Sequence, residues 1–183
     1  MMGSQAEMKK VVLTTTEEET DFYQAIMEHK DTLIHIAYSY LRNRYDALEA
    51  VQEMTCRAWV KRSTLKEGRA FKAWIIRILI YVCIDEQRRR KRAVPVTDHE
   101  LEKAIVEPAL GGFNHNRLAM WPVLKKVKPK YRHVLILKYY NDMTLKEIAA
   151  ILGKPEGTVK TWQYKGLEHL RKLMNNRGEW QDD

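Results

Sequence analysis

The stretch TLKEIAAILGKPEGTVKTWQYKGLEHLRKL (residues 144–173) constrains the fold more than any other part of the chain. Thr144 and Glu147 have the T-x-x-E spacing of a capping box, which starts a helix at Leu145. Ile148, Ala149 and Leu152 give that helix one apolar face at helical spacing. Gly153 supplies a sharp stop, because a residue without Cβ takes the left-handed conformation without a clash. Pro155 fits the first turn of a second helix, where its missing N–H costs nothing. That helix has Val159, Trp162 or Tyr164, Leu167 and Leu170 on its inner side, and leaves Thr158, Lys160, Thr161 and Lys165 outward. Two helices joined this way form a helix-turn-helix, which lays its second helix in the DNA major groove.

Almost every other periodic stretch is helical as well. Phe22, Ile26, Leu33, Ile36, Ala37, Tyr40 and Leu41 mark one amphipathic helix over residues 22–42. Asn43-Arg44-Tyr45 breaks it, and Asp46 can cap a second helix with Ala47, Ala50, Val51, Met54 and Trp59 inward. Residues 63–68 are a polar loop. FKAWIIRILIYVCIDEQRRRKR then reads as a third helix, with Phe71, Trp74, Ile75, Ile78, Leu79 and Val82 inward. Its basic last turns suit both a helix C-terminus and a phosphate partner. Residues 96–116 hold Pro108 and Gly111-Gly112 and lack a sustained apolar face, so they read as a linker with one short helix over 99–106. Leu118, Trp121, Leu124 and Val127 mark a further helix from Arg117, and residues 131–140 another. The expected fold class is all-α, two small helical domains joined by a flexible linker. The domains span residues 20–95 and 117–177, with the linker at 96–116, an extension at 1–19 expected to be disordered, and a tail at 178–183.

Charge is distributed to match. The chain carries +8 at pH 7, which favours an acidic partner such as nucleic acid. Residues 123–177 hold thirteen Lys and Arg against four Asp and Glu, so the excess lies in the helix-turn-helix half. A second concentration is Arg88-Arg89-Arg90-Lys91-Arg92, whereas the linker is acidic. Cys56 and Cys83 belong to no C-x-x-C pair and read as two half-buried thiols of a reduced, cytoplasmic protein. No segment has the apolar length to span a bilayer, so direct membrane insertion is not expected. A glycine-rich phosphate loop, paired catalytic carboxylates and a Ser/His/Asp arrangement are all missing, and the six histidines are dispersed. The expectation is therefore no enzyme, no catalytic residue, no metal, no cofactor and no small-molecule substrate.

Taken in order, YLRNRYDALEAVQEMTCRAW, FKAWIIRILIYVCIDEQRRRKR and KPKYRHVLILKYYNDMTLKEIAAILGKPEGTVKTW resemble the extracytoplasmic-function (ECF) group of bacterial RNA polymerase sigma factors. The resemblance covers about residues 20–174. It implies a promoter-specificity subunit that binds core RNA polymerase and promoter DNA and is commonly held inactive by an anti-sigma factor. One domain would read and help melt the minus-ten element, the other would read the minus-thirty-five element.

The resemblance also implies roles for individual residues. Asp46, Glu49, Gln52 and Glu53 match the helix that docks on the polymerase largest subunit, and carboxylates there suit a basic partner surface. The loop at 63–68 matches the place where a flipped non-template base is held, which stabilises melted DNA. Phe71, Trp74 and Arg77 match the F-x-x-W-x-x-[RK] start of the third helix, with Trp74 a core residue. Arg77, Tyr81, Arg88, Arg89 and Arg92 are the minus-ten candidates, the arginines for phosphate and Tyr81 for base stacking. Tyr81 stands where similar proteins usually have Asn. Glu156, Thr158, Lys160, Thr161, Tyr164 and Lys165 are the minus-thirty-five candidates, the lysines for phosphates and Thr161 and Glu156 for base edges. Pro155, Trp162 and Gln163 depart from the usual Ser, Arg and Leu. Val134, Leu137 and Tyr140 are candidates for meeting the polymerase flap. The same helix-turn-helix also looks like that of LuxR-type regulators, which bind a palindrome as dimers, but that alternative leaves the first ninety residues unexplained.

Overall fold

The computed structural model describes residues 17–93 and 120–175, and every regular element among them is helical. The linker, the short helix expected within it, the tail and residues 1–16 of the extension lie outside the described residues, whereas residues 17–19, expected to be disordered, form the first turn of a helix.

The single helix expected over residues 22–42 is two helices, α1 (Glu17–Met27) and α2 (Lys30–Leu41). The polar run Glu28-His29-Lys30-Asp31 offers nothing to bury, and the turn there lets Ile26 and Leu33 both reach the interior. α2 stops at Arg42, whose φ of 60° turns the chain left-handed while its N–H donates to the Tyr38 carbonyl. α3 (Arg44–Lys61) is capped by Asn43 and not by Asp46. The Asn43 side-chain oxygen accepts from the Asp46 N–H at 3.1 Å, because Asn43 has the extended backbone that a cap needs. Two short 3₁₀ turns, Arg62–Thr64 and Gly68–Ala70, fold the expected polar loop. α4 (Phe71–Ala93) follows as one long helix.

α2, α3 and α4 pack as a bundle, with α1 laid across α3. Alanines at 47, 50 and 58 line the inner face of α3, and their small side chains let the larger Leu33, Ile36, Ile75 and Leu79 close over them. On α4 the buried set is Ile75, Ile76, Ile78, Leu79, Ile80, Val82 and Cys83, wider than one amphipathic stripe. A helix apolar on so many sides must be covered on more than one. The second domain provides that cover.

In that domain, α5 (Trp121–Leu124) carries Pro122 in its first turn, and α6 (Pro129–Leu135) starts on Pro129. The helix expected over residues 131–140 widens into a π-turn at Ile136–Tyr140. Asn141 Nδ2 donates to the Ile136 carbonyl at 3.1 Å, and the Met143 N–H to that of Leu137 at 3.1 Å, so these two carbonyls of the π-turn are satisfied. α7 (Leu145–Leu152) and α8 (Glu156–Asn175) complete it.

The two domains are packed together. α4 lies against α7, α2 lies against the π-turn, and one continuous apolar core runs through both domains. Cys83 is fully buried in that core, and burial pushes its thiol up to about 12; Cys56 is exposed. Neither is the half-buried thiol expected from sequence.

Candidate nucleic-acid interface

The helix-turn-helix forms where expected. Thr144 Oγ1 accepts from the Glu147 N–H at 3.2 Å, and Glu147 Oε2 accepts from the Thr144 N–H at 2.8 Å and its hydroxyl at 2.7 Å. The donated backbone N–H, followed by the hydroxyl, holds the Glu147 carboxyl below its ordinary range. Gly153 takes φ 62° and ends α7. Pro155 sits one place earlier than expected. Its carbonyl accepts from the Thr158 and Val159 N–H groups, so it precedes α8 as the cap position and leaves Glu156 to open the helix.

α8 is anchored by Val159 and Gly166, both buried, with Trp162 and Leu170 half-buried beside them. At Gly166 the helix approaches α6 so closely that a Cβ would meet Leu135 and Tyr131 at 3.2 Å. Gln163 Nε2 donates to the Tyr139 hydroxyl at 2.8 Å, so this departure from Leu ties α8 to the π-turn. Lys130 lies 5.9 Å from the Trp162 ring centroid, and the half-buried indole belongs to the inner side. Of the expected DNA-reading residues, Glu156, Lys160, Thr161, Tyr164 and Lys165 are exposed and Thr158 is half-buried. Tyr164, one of two alternatives for the inner side, points out at 71% exposure. Thr161 donates its hydroxyl to the Gly157 carbonyl at 2.9 Å, which leaves its methyl and an oxygen lone pair to meet a base edge.

Along α4 the expected minus-ten residues divide. Tyr81, Arg88 and Arg92 are exposed. Arg89 forks onto Glu86 through two hydrogen bonds of 2.8 and 3.0 Å. Arg90, absent from the expected set, stays about half exposed and pairs with both Asp46 and Glu86. The Arg89 hydrogen bond, supported by Arg90, keeps the Glu86 carboxyl below its ordinary range despite partial burial. Arg77 corrects the expectation: it is half-buried and does not lie on an open basic face. Its Nε donates to the Ile151 carbonyl at 2.6 Å and its Nη2 to the Ala150 carbonyl at 2.7 Å. Those are carbonyls of the last turn of α7, which lack intrahelical partners, and a cation is favoured there by the helix dipole.

Asp46, Glu49, Gln52 and Glu53 line one wall of a groove of about 630 Å³ between α3 and α4, and Asp85, Glu86 and Arg89 form the other. Glu49 and Gln52 are exposed along it. Glu53 bonds Arg57 at 2.7 Å, and Arg57 also reaches Asp85 at 3.0 Å. Asp46 departs most from an exposed docking role, because its carboxylate is largely covered by Arg90. Sequence reading missed Asp85, Glu86 and Arg57, whose place in the groove depends on α3 and α4 lying side by side.

The loop after α3 is pinned at both ends. Arg62 bonds Glu18 at 3.0 Å and lies 4.0 Å from the Trp59 ring centroid, and Trp74 Nε1 donates to Thr64 Oγ1 at 3.3 Å. Trp74 packs with Phe22 and Phe71, as a core role requires. Of the three candidates for meeting a polymerase flap, Val134 and Leu137 are fully buried and offer no surface. Tyr140 lines the apolar groove of this domain, about 390 Å³, together with Leu124, Leu135, Tyr139, Leu167 and Leu170.

Residues 25–93 match the family described as Sigma-70 region 2, and residues 118–170 match Sigma-70, region 4. The chain is 31% identical to RNA polymerase sigma factor SigV of Bacillus subtilis over 147 residues, covering 80% of this chain and 86% of SigV. This chain belongs to the ECF sigma factors. ECF sigma factor SigW of the same organism is 28% identical across 92% of this chain and 97% of its own length. Two solved structures share the fold. The sigma factor RpoE, crystallised with the anti-sigma factor NepR from Bartonella quintana, has a TM-score of 0.60 at 23% identity, over 85% of this chain and 98% of RpoE. CnrH, solved with the cytosolic domain of CnrY, has a TM-score of 0.58 at 23% identity, over 86% and 90%. As an ECF sigma factor the protein directs promoter-specific transcription initiation, and the match to region 2 sets the LuxR-type reading aside. The family is one of initiation factors rather than enzymes. Among the described residues, no helix of this sigma factor is long and apolar enough to cross a membrane.

Proposed function

We propose that this sigma factor docks core RNA polymerase through the α3 wall of the groove and reads promoter DNA with α4 and α8. The observation that carries the docking assignment is the row Glu49, Gln52 and Glu53, exposed side by side on one helix. Carboxylates held there complement a basic partner surface and steer its approach. Asp46 serves this site indirectly, by holding Arg90 and so fixing the end of α4 against α3.

Residues 20–95 act as the region-two unit, which captures and melts the minus-ten element. Arg88, Arg89 and Arg92 meet phosphates and Tyr81 stacks on an unpaired base. Residues 117–177 act as the region-four unit. Lys160 and Lys165 hold phosphates while Glu156, Thr158, Thr161 and Tyr164 face base edges at the minus-thirty-five element. Residues 96–116 connect the two. The polymerase performs nucleotide transfer and the sigma factor supplies no chemistry of its own. It works in the cytoplasm, where core polymerase and promoter lie, and an anti-sigma factor restrains it, as NepR accompanies RpoE.

The test is holoenzyme assembly with Glu49→Lys and Glu53→Lys together. The double reversal should weaken core polymerase binding by tenfold or more, on the order of the coupling energy of close charge pairs. Unchanged assembly rejects α3 as the docking helix.

A further inference from the structure

α8 rests on its own domain along one line of contact. Val159, Trp162, Gly166 and Leu170 recur at three- and four-residue spacing, so they share a single stripe of the helix. Apolar contact is non-directional. It holds the helix down and leaves it free to roll about the stripe. Side chains on the outer side end about 5–6 Å from the helix axis, so a roll of about 10° carries each tip by about 1 Å. A shift of that size takes a hydrogen bond to a base edge out of range. It matters less to lysines, which meet phosphates as point charges on flexible stems.

A directional contact opposes the roll. Gln163 lies on the flank of the stripe, between Val159 one turn before it and Gly166 one turn after, and its Nε2 donates to the Tyr139 hydroxyl at 2.8 Å. Among the described residues, no other side-chain hydrogen bond joins α8 to a different element; those of Thr161 and Lys172 stay within the helix. Tyr139 is held in its turn. It belongs to the π-turn, where Asn141 and Met143 bond the Ile136 and Leu137 carbonyls, and its ring lines the apolar groove beside Leu167. Wide turns of this type are rare in helices and recur at functional sites.

We propose that Tyr139 and Gln163 are a positioning pair for the minus-thirty-five element: the bond between them fixes the roll of α8 and so aims Thr161 and Tyr164 at base edges. Neither residue of the pair needs to touch DNA. The inference rests on the reading of α8 as the helix that meets the minus-thirty-five element. It adds that sequence preference there depends on the π-turn as well as on the residues facing the groove of the duplex. Tyr139 is 39% exposed, so breaking the bond leaves no buried group unpaired and the domain should still fold.

The test uses holoenzyme assembled from the full chain and core polymerase. The unsubstituted holoenzyme selects sites from a randomised duplex library, and the site it enriches most becomes the probe. The readout is the ratio of its affinity for that site to its affinity for single-base changes in the minus-thirty-five element. Tyr139→Phe, which removes only the hydroxyl, and Gln163→Met, which keeps length and helix propensity, should each lower that ratio about threefold or more. The double variant should lose no more than either single one, because both remove the same bond. The salt slope of binding should stay as it is, since the phosphate contacts remain. Thermal melts should shift by about 3 °C or less.

Unchanged ratios in both single variants overturn the pair's role, and so do losses that add in the double variant. A salt slope that falls along with the ratio also overturns it, because α8 would then have lost its seat and not its aim. Thr161→Ala separates these results from a failure of the underlying reading. A ratio that moves for Thr161→Ala but for neither member of the pair leaves α8 as the reader and removes the positioning role. Ratios that move for none of the three end both.

Discussion

The Tyr40 hydroxyl lies 3.1 Å from His133 Nδ1, with the two rings stacked at a centroid distance of 5.7 Å across the domain boundary. The phenol is fully buried, and burial raises its pKa, so it stays protonated and donates. The imidazole is the acceptor, which requires it to be neutral.

That requirement makes stability depend on pH. Burial, reinforced by the neighbouring Arg132, lowers the His133 pKa to about 4 from an ordinary 6.5. As pH falls below 6.5 the unfolded chain takes up a proton that the folded chain refuses, so stability present at neutral pH is lost toward pH 4. The loss at pH 5 should be about 2 kcal/mol. Denaturant titrations at pH 7 and pH 5 measure it, and His133→Leu should remove that part of the slope.

Gly166 should resist substitution although it lies inside a helix. Alanine gains about 1 kcal/mol of helix propensity there, but its Cβ would meet Leu135 and Tyr131 at 3.2 Å. Overpacking of this kind costs about 1–3 kcal/mol. The Tyr131 atom in the way is a Cβ fixed to its backbone, so Gly166→Ala should lower Tm and Gly166→Val should lower it further, read by thermal melts. A rise in Tm for Gly166→Ala would show that α6 yields.

Asp46 and Arg90 should be energetically coupled. A double-mutant cycle with Asp46→Ala and Arg90→Ala should give about 0.5–1 kcal/mol, a modest value because Arg90 keeps solvent on one side. Additive losses would mean that the pair does not fix the end of α4.

Arg88 and Arg92 are exposed and form no salt bridge with a described carboxylate, so their role is read from salt. Replacing both by Ala should flatten the salt dependence of holoenzyme binding to promoter DNA by about 1.5 in the log–log slope. A slope that does not change would remove them from the phosphate contacts.

Much of this was legible in sequence because it depends on neighbours a few residues apart. The capping box at Thr144 and Glu147, the stop at Gly153 and the long α4 are local patterns, and all three form. The break at Glu28-His29 was missed because apolar residues on both sides keep helical spacing across it. Asn43 was passed over as a cap because Asp46 is an equally good capping type, and only the backbone at Asn43 decides between them. The domain interface had a local trace in IIRILIYVCI, which is too apolar for one stripe, yet its partner surface lies more than fifty residues away. Arg77 shows the limit most clearly. A motif gives its neighbours in the chain, whereas the carbonyls it bonds are 73 and 74 residues distant.

Footprinting a holoenzyme assembled from the purified chain and core polymerase addresses the central claim most directly. Two separate protected blocks should appear, near minus-ten and minus-thirty-five, with unpaired bases in the first, and neither domain should give this pattern without polymerase. A single palindromic footprint made by the chain alone, or no association with core polymerase, would contradict the account.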